Sequence, residues 1–173
     1  MKITGKQKIT EDILSRAQKV KLLLMDCDGV LTDGKLYFSA NGEELKVFNV
    51  RDGQGLVCWH RAGFRSGIIS GRNSEIVKKR ATELGVSYII QSSLDKTHSF
   101  SEILNIEKVS PSEVAFVGDD IADIDLLKIV GFSIAVADAE TDLLKIVDYI
   151  TKLKGGCGAV REITNLLIKS KSL

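Results

Sequence analysis

One proline in 173 residues is too few for a chain built on proline-rich linkers or polyproline segments. Pro111 stands alone, and no stretch biased to glycine, serine or one charge divides the sequence, so a single domain over 1–173 is expected. Cysteine is scarce as well. Cys27, Cys58 and Cys157 have neither metal-ligand spacing nor the density of a disulfide framework, which predicts reduced thiols and a cytoplasmic setting. Neither sign of charge dominates: Lys plus Arg number 24 and Asp plus Glu 23, a net charge of +1. That balance lacks the electrostatic footprint of a nucleic-acid or anionic-membrane partner, so neither partner is expected. No apolar run reaches the length of a membrane span or a signal-peptide core. No internal repeat of fixed period is present. Aromatic residues are 6% of the chain, and its one tryptophan, Trp59, is expected in the core.

What the sequence does have is a series of short apolar runs that stop abruptly in polar residues. The first strand is expected from about Val20 to Asp26, where the apolar run gives way to Asp26-Cys27-Asp28-Gly29. Further runs lie at about 64–70, 86–91, 114–120 and 132–137, with a shorter one near 148–151. Runs of this length read as buried parallel strands, and helical segments separate them. Helices are expected from Thr10 to Lys19, after Arg51, up to Leu84 with Gly85 closing it, from Asp95 to Leu104, from Asp123 to Ile129 and from Glu140 to Val147. A last amphipathic helix carries Val160, Ile163, Leu166 and Leu167 behind a Gly-rich tail, the two spanning about 155–170. The Lys and Arg residues of the N-terminal stretch, Met1 to Lys19, read as a solvated face. Asn41-Gly42 between β-rich stretches marks a hairpin over about 34–48, following directly on the acidic strand end as a flap. Its apolar residues exceed what a lone hairpin should expose and point to a partner subunit. The fold class is α/β: a doubly wound parallel sheet with a small hairpin flap.

Ligands of such sheets bind beyond the carboxyl ends of the strands. Asp26 and Asp28, Ser70 and Arg72, the turn before Lys96, and Asp119 and Asp120 all sit at those ends. Two carboxylates two residues apart on a strand end repel unless a cation joins them or one is protonated. An acidic end that merely caps a turn is the competing reading. Several carboxylates, a hydroxyl and a lysine suit a Mg²⁺-dependent reaction on a phosphate. Asp26 and Asp119 would ligate the metal, with a backbone carbonyl near Asp28. Lys96 and Ser70 would hold the phosphate oxygens. Asp26 would attack phosphorus, and Asp28 would serve the leaving oxygen and then the water. Taken singly, Lys96 and Arg72 read as surface cations, Ser70 as a turn residue and Asp123 as the complement of a helix N-terminus. Their order along the chain joins them.

Asp26-x-Asp28-Gly29-Val30, Ser70 after an apolar strand, Lys96, and Gly118-Asp119-Asp120-x-x-Asp123 resemble the haloacid dehalogenase superfamily. Asp28 to Gly34, Asn49 to Gly53, Ser70-Gly71-Arg72, Ala135 to Ala139 and Gly155 to Glu162 resemble, more narrowly, the 3-deoxy-D-manno-octulosonate (KDO) 8-phosphate phosphatases. That resemblance covers Val20 to Leu167 and implies Mg²⁺-dependent hydrolysis of a sugar-acid phosphate on the route to the lipopolysaccharide core sugar. It also implies the absence of a large cap domain, and a homotetramer in which hairpins pack together and a neighbour completes each site. It makes Asp26 the nucleophile and Asp28 the acid/base, and assigns the metal to Asp26, the Asp28 main chain and Asp119. Asp120 and Asp123 stand behind the metal. Ser70, Gly71, Thr32 and Lys96 bind phosphate, and Arg72 anchors the substrate carboxylate. The chain departs from the family at Cys157, where relatives commonly carry arginine, and in its extension before Lys19. A nonulosonate 9-phosphate or another small sugar phosphate is the alternative substrate. A phosphoacceptor module, or a binding or assembly domain without turnover, is the alternative class.

Overall fold

The computed structural model describes residues 9–172. Of the N-terminal stretch read as a solvated face, residues 1–8 lie outside them, while Arg16 keeps 40% of its side chain exposed beside Asp12. In chain order the elements are α1 (Glu11–Lys19), β1 (Leu22–Met25), β2 (Tyr37–Ser39), β3 (Gly42–Leu45), α2 (Val50–Arg61), β4 (Arg65–Ile69), α3 (Glu75–Glu83) and β5 (Tyr88–Ile90). They continue with α4 (Lys96–Glu107), β6 (Val114–Gly118), α5 (Ile124–Leu127), β7 (Phe132–Ala135), β8 (Tyr149–Ile150) and α6 (Ala159–Ser170). Six strands form one sheet in the order β5-β4-β1-β6-β7-β8, with every pairing parallel. β1 lies between β4 and β6, registered Met25 against Ile68 and Val117. The chain winds outward from β1 to β5 and then returns to β6, so the order reverses beside β1, where such sheets open a crevice.

The central strands are buried throughout, which is why their sequences are unbroken apolar runs. Leu22, Leu23, Leu24 and Met25 are at most 1% exposed. On one face α6 packs against both α1 and α2, while α3 meets α2 where Arg80 and Leu84 approach Gly53. α4 and α5 pack together on the other face, as right-handed crossovers in the two winding directions require. Trp59 is fully buried, stacks on Phe64 at 4.2 Å and donates from Nε1 to the Arg65 carbonyl at 2.8 Å. No helix among the described residues is long and apolar enough to cross a membrane.

Three local expectations change. The predicted helix over 140–147 is only a 3₁₀ turn at Leu143–Lys145. Leu143 is the one fully buried side chain of that stretch, so a single turn buries it and a longer helix has no face to pack. The predicted helix from Asp123 begins earlier, as a 3₁₀ turn at Ile121–Asp123 capped by Asp120, and α5 ends sooner, at Leu127. The hairpin turns at Ala40 and Asn41, one residue before the expected dipeptide. Ser39 Oγ accepts from the Asn41 N–H at 3.1 Å, and Gly42, at φ +113°, already opens β3.

Candidate active site

Asp26 continues β1 by one residue, its N–H donating to the Val117 carbonyl at 3.0 Å. The chain then coils tightly: the N–H groups of Val30, Leu31 and Thr32 all donate to the Cys27 carbonyl, at 3.3, 2.9 and 3.2 Å. Gly29, at φ +83°, lies so close to Asp119 that a Cβ there would sit 1.8 Å from Asp119 Oδ2. The Gly-rich tail braces this loop from behind. A Cβ on Gly155 would sit 1.6 Å from the Gly29 carbonyl oxygen, and Gly156 N–H donates to the Val30 carbonyl at 2.9 Å. Asp52 of α2 fixes the tail in turn, accepting from Gly158 N–H at 3.0 Å and Arg161 N–H at 2.8 Å. It thereby satisfies the N-terminus of α6 without lying next to it in sequence.

Asp95 caps α4, accepting from the Thr97 and His98 N–H groups at 2.9 and 3.1 Å, which makes Lys96 the first residue of the helix. Its ammonium reaches inward, 2.7 Å from Asp26 Oδ2 and 2.6 Å from Asp123 Oδ1. Asp123 is wholly buried, and its Oδ2 accepts from the N–H groups of Asp119 at 3.0 Å and Asp120 at 3.4 Å. Both of its oxygens are therefore engaged in holding the loop and the lysine. Asp120 is exposed and turns to cap Ile121 N–H at 2.7 Å.

Oxygens of Asp26, Asp119 and Asp123 lie within 4.8 Å of one another. Burial, reinforced by the Asp26 and Asp123 charges, pushes the Asp119 carboxyl up to about 8. Burial also raises Asp26, against the pull of Lys96. Burial opposes the Lys96 ammonium, yet Asp26 and Asp123 hold its pKa above the ordinary value. One ammonium thus serves three clustered carboxylates, and Asp119 Oδ1 is buried without any partner among the described residues. Hard oxygen donors, an excess of negative charge and an orphaned carboxylate oxygen fit a divalent cation such as Mg²⁺. Asp26 and Asp119 are the carboxylates left to hold it.

Asp28 faces a second cluster. Its Oδ1 pairs with Lys46 and its Oδ2 lies 3.2 Å from Arg72 Nε. Glu43 of β3 joins the group, 3.1 Å from Lys46 Nζ and 3.4 Å from Arg72 Nη2, and accepts from Ser74 Oγ. Burial works against the Lys46 ammonium, but Asp28 and Glu43 hold it above its ordinary pKa. Burial likewise works against the Glu43 carboxylate, but Ser74 and Lys46 hold it below its ordinary pKa.

A crevice of about 350 Å³ opens between the two clusters. Asp26, Asp28, Ser70, Gly71, Arg72, Lys96, Asp119 and Asp120 line it. Ser70 is seated by backbone bonds, its N–H donating to the Ile90 carbonyl at 2.9 Å and its carbonyl accepting from Ser93 N–H at 3.1 Å. Thr32, expected at the phosphate, is not in the lining: its Oγ1 accepts from Gly29 and Gly34 N–H groups at 3.3 and 3.2 Å, inside the acid loop. Sequence reasoning missed Lys46, Glu43 and Asp52. The only signal was two charged residues in a hairpin read for its apolar face, and an acid in the first turn of a helix.

The arrangement can therefore seat a dianion beside a carboxylate, neutralise it with Lys96 and a metal, and present a second carboxylate and a guanidinium across the gap. The comparisons with known proteins agree with that chemistry. Residues 61–163 match the haloacid dehalogenase-like hydrolase family. The chain is 42% identical over 160 residues to the 3-deoxy-D-manno-octulosonate 8-phosphate phosphatase KdsC of Escherichia coli K12, covering 92% of this chain and 85% of that protein. It superimposes on the crystal structure of the Yersinia pestis phosphatase of the same name with a TM-score of 0.92 at 41% identity, covering 94% of this chain and 88% of that one. The Moraxella catarrhalis phosphatase, solved in complex with magnesium, phosphate and KDO, aligns at a TM-score of 0.91 and 37% identity, over 94% of both chains. The chain belongs to the 3-deoxy-D-manno-octulosonate 8-phosphate phosphatase family of haloacid dehalogenase-like hydrolases, and is a phosphomonoester hydrolase.

Proposed function

We propose that this chain hydrolyses KDO 8-phosphate to KDO and inorganic phosphate, with Mg²⁺, in the cytoplasm on the route to the lipopolysaccharide core sugar. The observation that carries the reading is the Asp26–Lys96–Asp123 chain of ion pairs beside the partnerless Asp119 oxygen, at a crevice that also presents Arg72. Mg²⁺, held by Asp26, Asp119 and the Asp28 main chain, supplies the positive charge that lets an anionic nucleophile approach an anionic phosphate.

The Asp26 carboxylate attacks phosphorus, and the bond to the C8 oxygen breaks to leave an aspartyl-phosphate. Asp28 gives its proton to the departing alkoxide. The resulting carboxylate then takes a proton from water as that water attacks the phosphoryl group, releasing phosphate and restoring Asp26. Lys96 and Ser70 hold the phosphoryl oxygens, while Asp123 and Asp120 keep the Asp119 loop in place. Arg72 is paired to Asp28 and Glu43, yet 43% of its side chain is exposed and it lines the crevice, where its guanidinium can exchange those partners for a substrate carboxylate.

The exposed apolar hairpin residues Leu36 (44%), Phe38 (59%) and Leu45 (51%) support a homotetramer in which these flaps pack together and a neighbour completes each site. The direct test is turnover of a panel of sugar phosphates with and without Mg²⁺, alongside light scattering for mass. The reading expects KDO 8-phosphate to be preferred over a nonulosonate 9-phosphate and over neutral sugar phosphates, with no turnover in EDTA. Preference for the nine-carbon acid, or metal-independent turnover, would refute it.

A further inference from the structure

Lys46 follows β3 at the base of the hairpin, and its side chain has no exposed surface. It lies behind Asp28 and is not among the residues that line the crevice. Burying an ammonium is costly unless it is fully paired. Here it is paired to Asp28 Oδ1 and, at 3.1 Å, to Glu43. Glu43 is anchored to Ser74, the residue before α3, and to Arg72 after β4. The hairpin is a separate two-stranded sheet, not a continuation of the six-stranded one. Glu43 near the turn and Lys46 at the base together tie the hairpin to the catalytic floor.

We propose that Lys46 is a positioning residue: it fixes the direction of the Asp28 carboxyl toward the leaving oxygen, so that hairpin seating sets the efficiency of leaving-group departure. The inference rests on the reading of Asp28 as the acid. It gives the hairpin a second task besides covering the site. A carboxyl held by Lys46 on one oxygen and Arg72 on the other cannot rotate. When Arg72 turns to a bound carboxylate, Lys46 remains as the constraint.

The consequence depends on the leaving group. An alkyl phosphate needs its departing oxygen protonated, whereas p-nitrophenolate leaves unaided. A misplacement on the order of 1 Å costs about 100-fold where positioning matters. Lys46→Met should therefore lower kcat/KM for a sugar-acid phosphate by about 100-fold, and for p-nitrophenyl phosphate by less than about tenfold. In the background of Asp28→Asn, adding Lys46→Met should change neither value further, because the group it positions is gone.

Wild-type and variant proteins are assayed together, with Mg²⁺-dependent thermal shift to confirm folding. Should Lys46→Met fail to fold, Lys46→Gln and Glu43→Gln replace it, with the same leaving-group ratio expected in smaller degree. Equal losses on both substrates, or additive losses in the double variant, would overturn this inference alone. A wild-type enzyme without Mg²⁺-dependent turnover would overturn it together with the proposed function.

Discussion

Asp119→Asn should abolish activity and at the same time stabilise the metal-free protein. The Asp119 carboxyl is driven by burial from 3.8 to about 8, and its Oδ1 has no partner to lose. Between those values the folded chain keeps a proton that the unfolded chain has released. The unfolded state binds fewer protons there, so stability falls as pH rises from about 4 to about 8. At one pKa step per 1.36 kcal/mol, roughly three steps are spent by pH 7, a ceiling of about 4 kcal/mol. Asparagine carries no charge at any pH and escapes that cost. Relaxation of the loop lowers the gain to about 2–4 kcal/mol, or about 4–16 °C in Tm for a chain of this size. The assay is thermal unfolding in EDTA at several pH values. The variant should melt well above wild type near pH 7–8 and level with it near pH 4. Mg²⁺ should raise the wild-type Tm and leave the variant unmoved, since only the former holds the ion with its full ligand set. A variant that melts at or below wild type in EDTA at neutral pH, or a gap that does not change with pH, would refute the electrostatic account of this site.

Asp26→Asn should reduce turnover by about 10⁴-fold or more while the metal-free protein still folds, because the lost charge is also a lost repulsion; hydrolysis near wild-type rates would reject the nucleophile. Arg72→Ala should cost a carboxylated sugar phosphate about 10–100-fold in kcat/KM, the worth of a charge-assisted hydrogen bond, and an aryl phosphate much less. Equal losses would remove the carboxylate anchor. Asp52→Ala leaves the Gly158 and Arg161 N–H groups unsatisfied at the start of α6, and should lower stability by about 1–3 kcal/mol in a denaturant titration. An unchanged midpoint would show that the tail does not depend on that cap. Gly155→Ala places a methyl group 1.6 Å from the Gly29 carbonyl oxygen. It should yield protein with a displaced acid loop and little Mg²⁺-dependent stabilisation; a wild-type thermal shift would contradict the bracing role.

Much of the fold was legible because burial is nearly complete where the sheet lies. Leu22–Met25 and Val114–Gly118 are apolar without interruption and stop where the crevice begins, so strand and site share one signal. The predicted strands ran a residue or two long because Asp26, Ser70 and Gln91 continue the backbone direction but belong to the site loops. Secondary structure that depends on a single buried side chain was not legible. The stretch around Leu143 has helical composition but only one deep contact, and tertiary packing decides it. Of the crevice lining, Asp26, Asp28, Ser70, Arg72, Lys96, Asp119 and Asp120 were foreseeable from their places at the strand ends. Lys46 and Glu43 were not, because their ion pairs form only when the hairpin folds back over the acid loop, Lys46 meeting Asp28 eighteen residues away in sequence. Asp52 was hidden in the same way: its partners, Gly158 and Arg161, lie 106 and 109 residues on. Thr32 carried the residue type of a phosphate ligand, but the acid loop needs its hydroxyl for two backbone N–H groups.

The most direct measurement is a crystal structure of the protein grown with Mg²⁺ and beryllium fluoride, which mimics a phosphoryl group on a carboxylate. The account expects the adduct on Asp26, with Lys96 against its fluorides and one Mg²⁺ shared by Asp26 and Asp119. An adduct on Asp28 or elsewhere, or a metal bound without both Asp26 and Asp119, would contradict it.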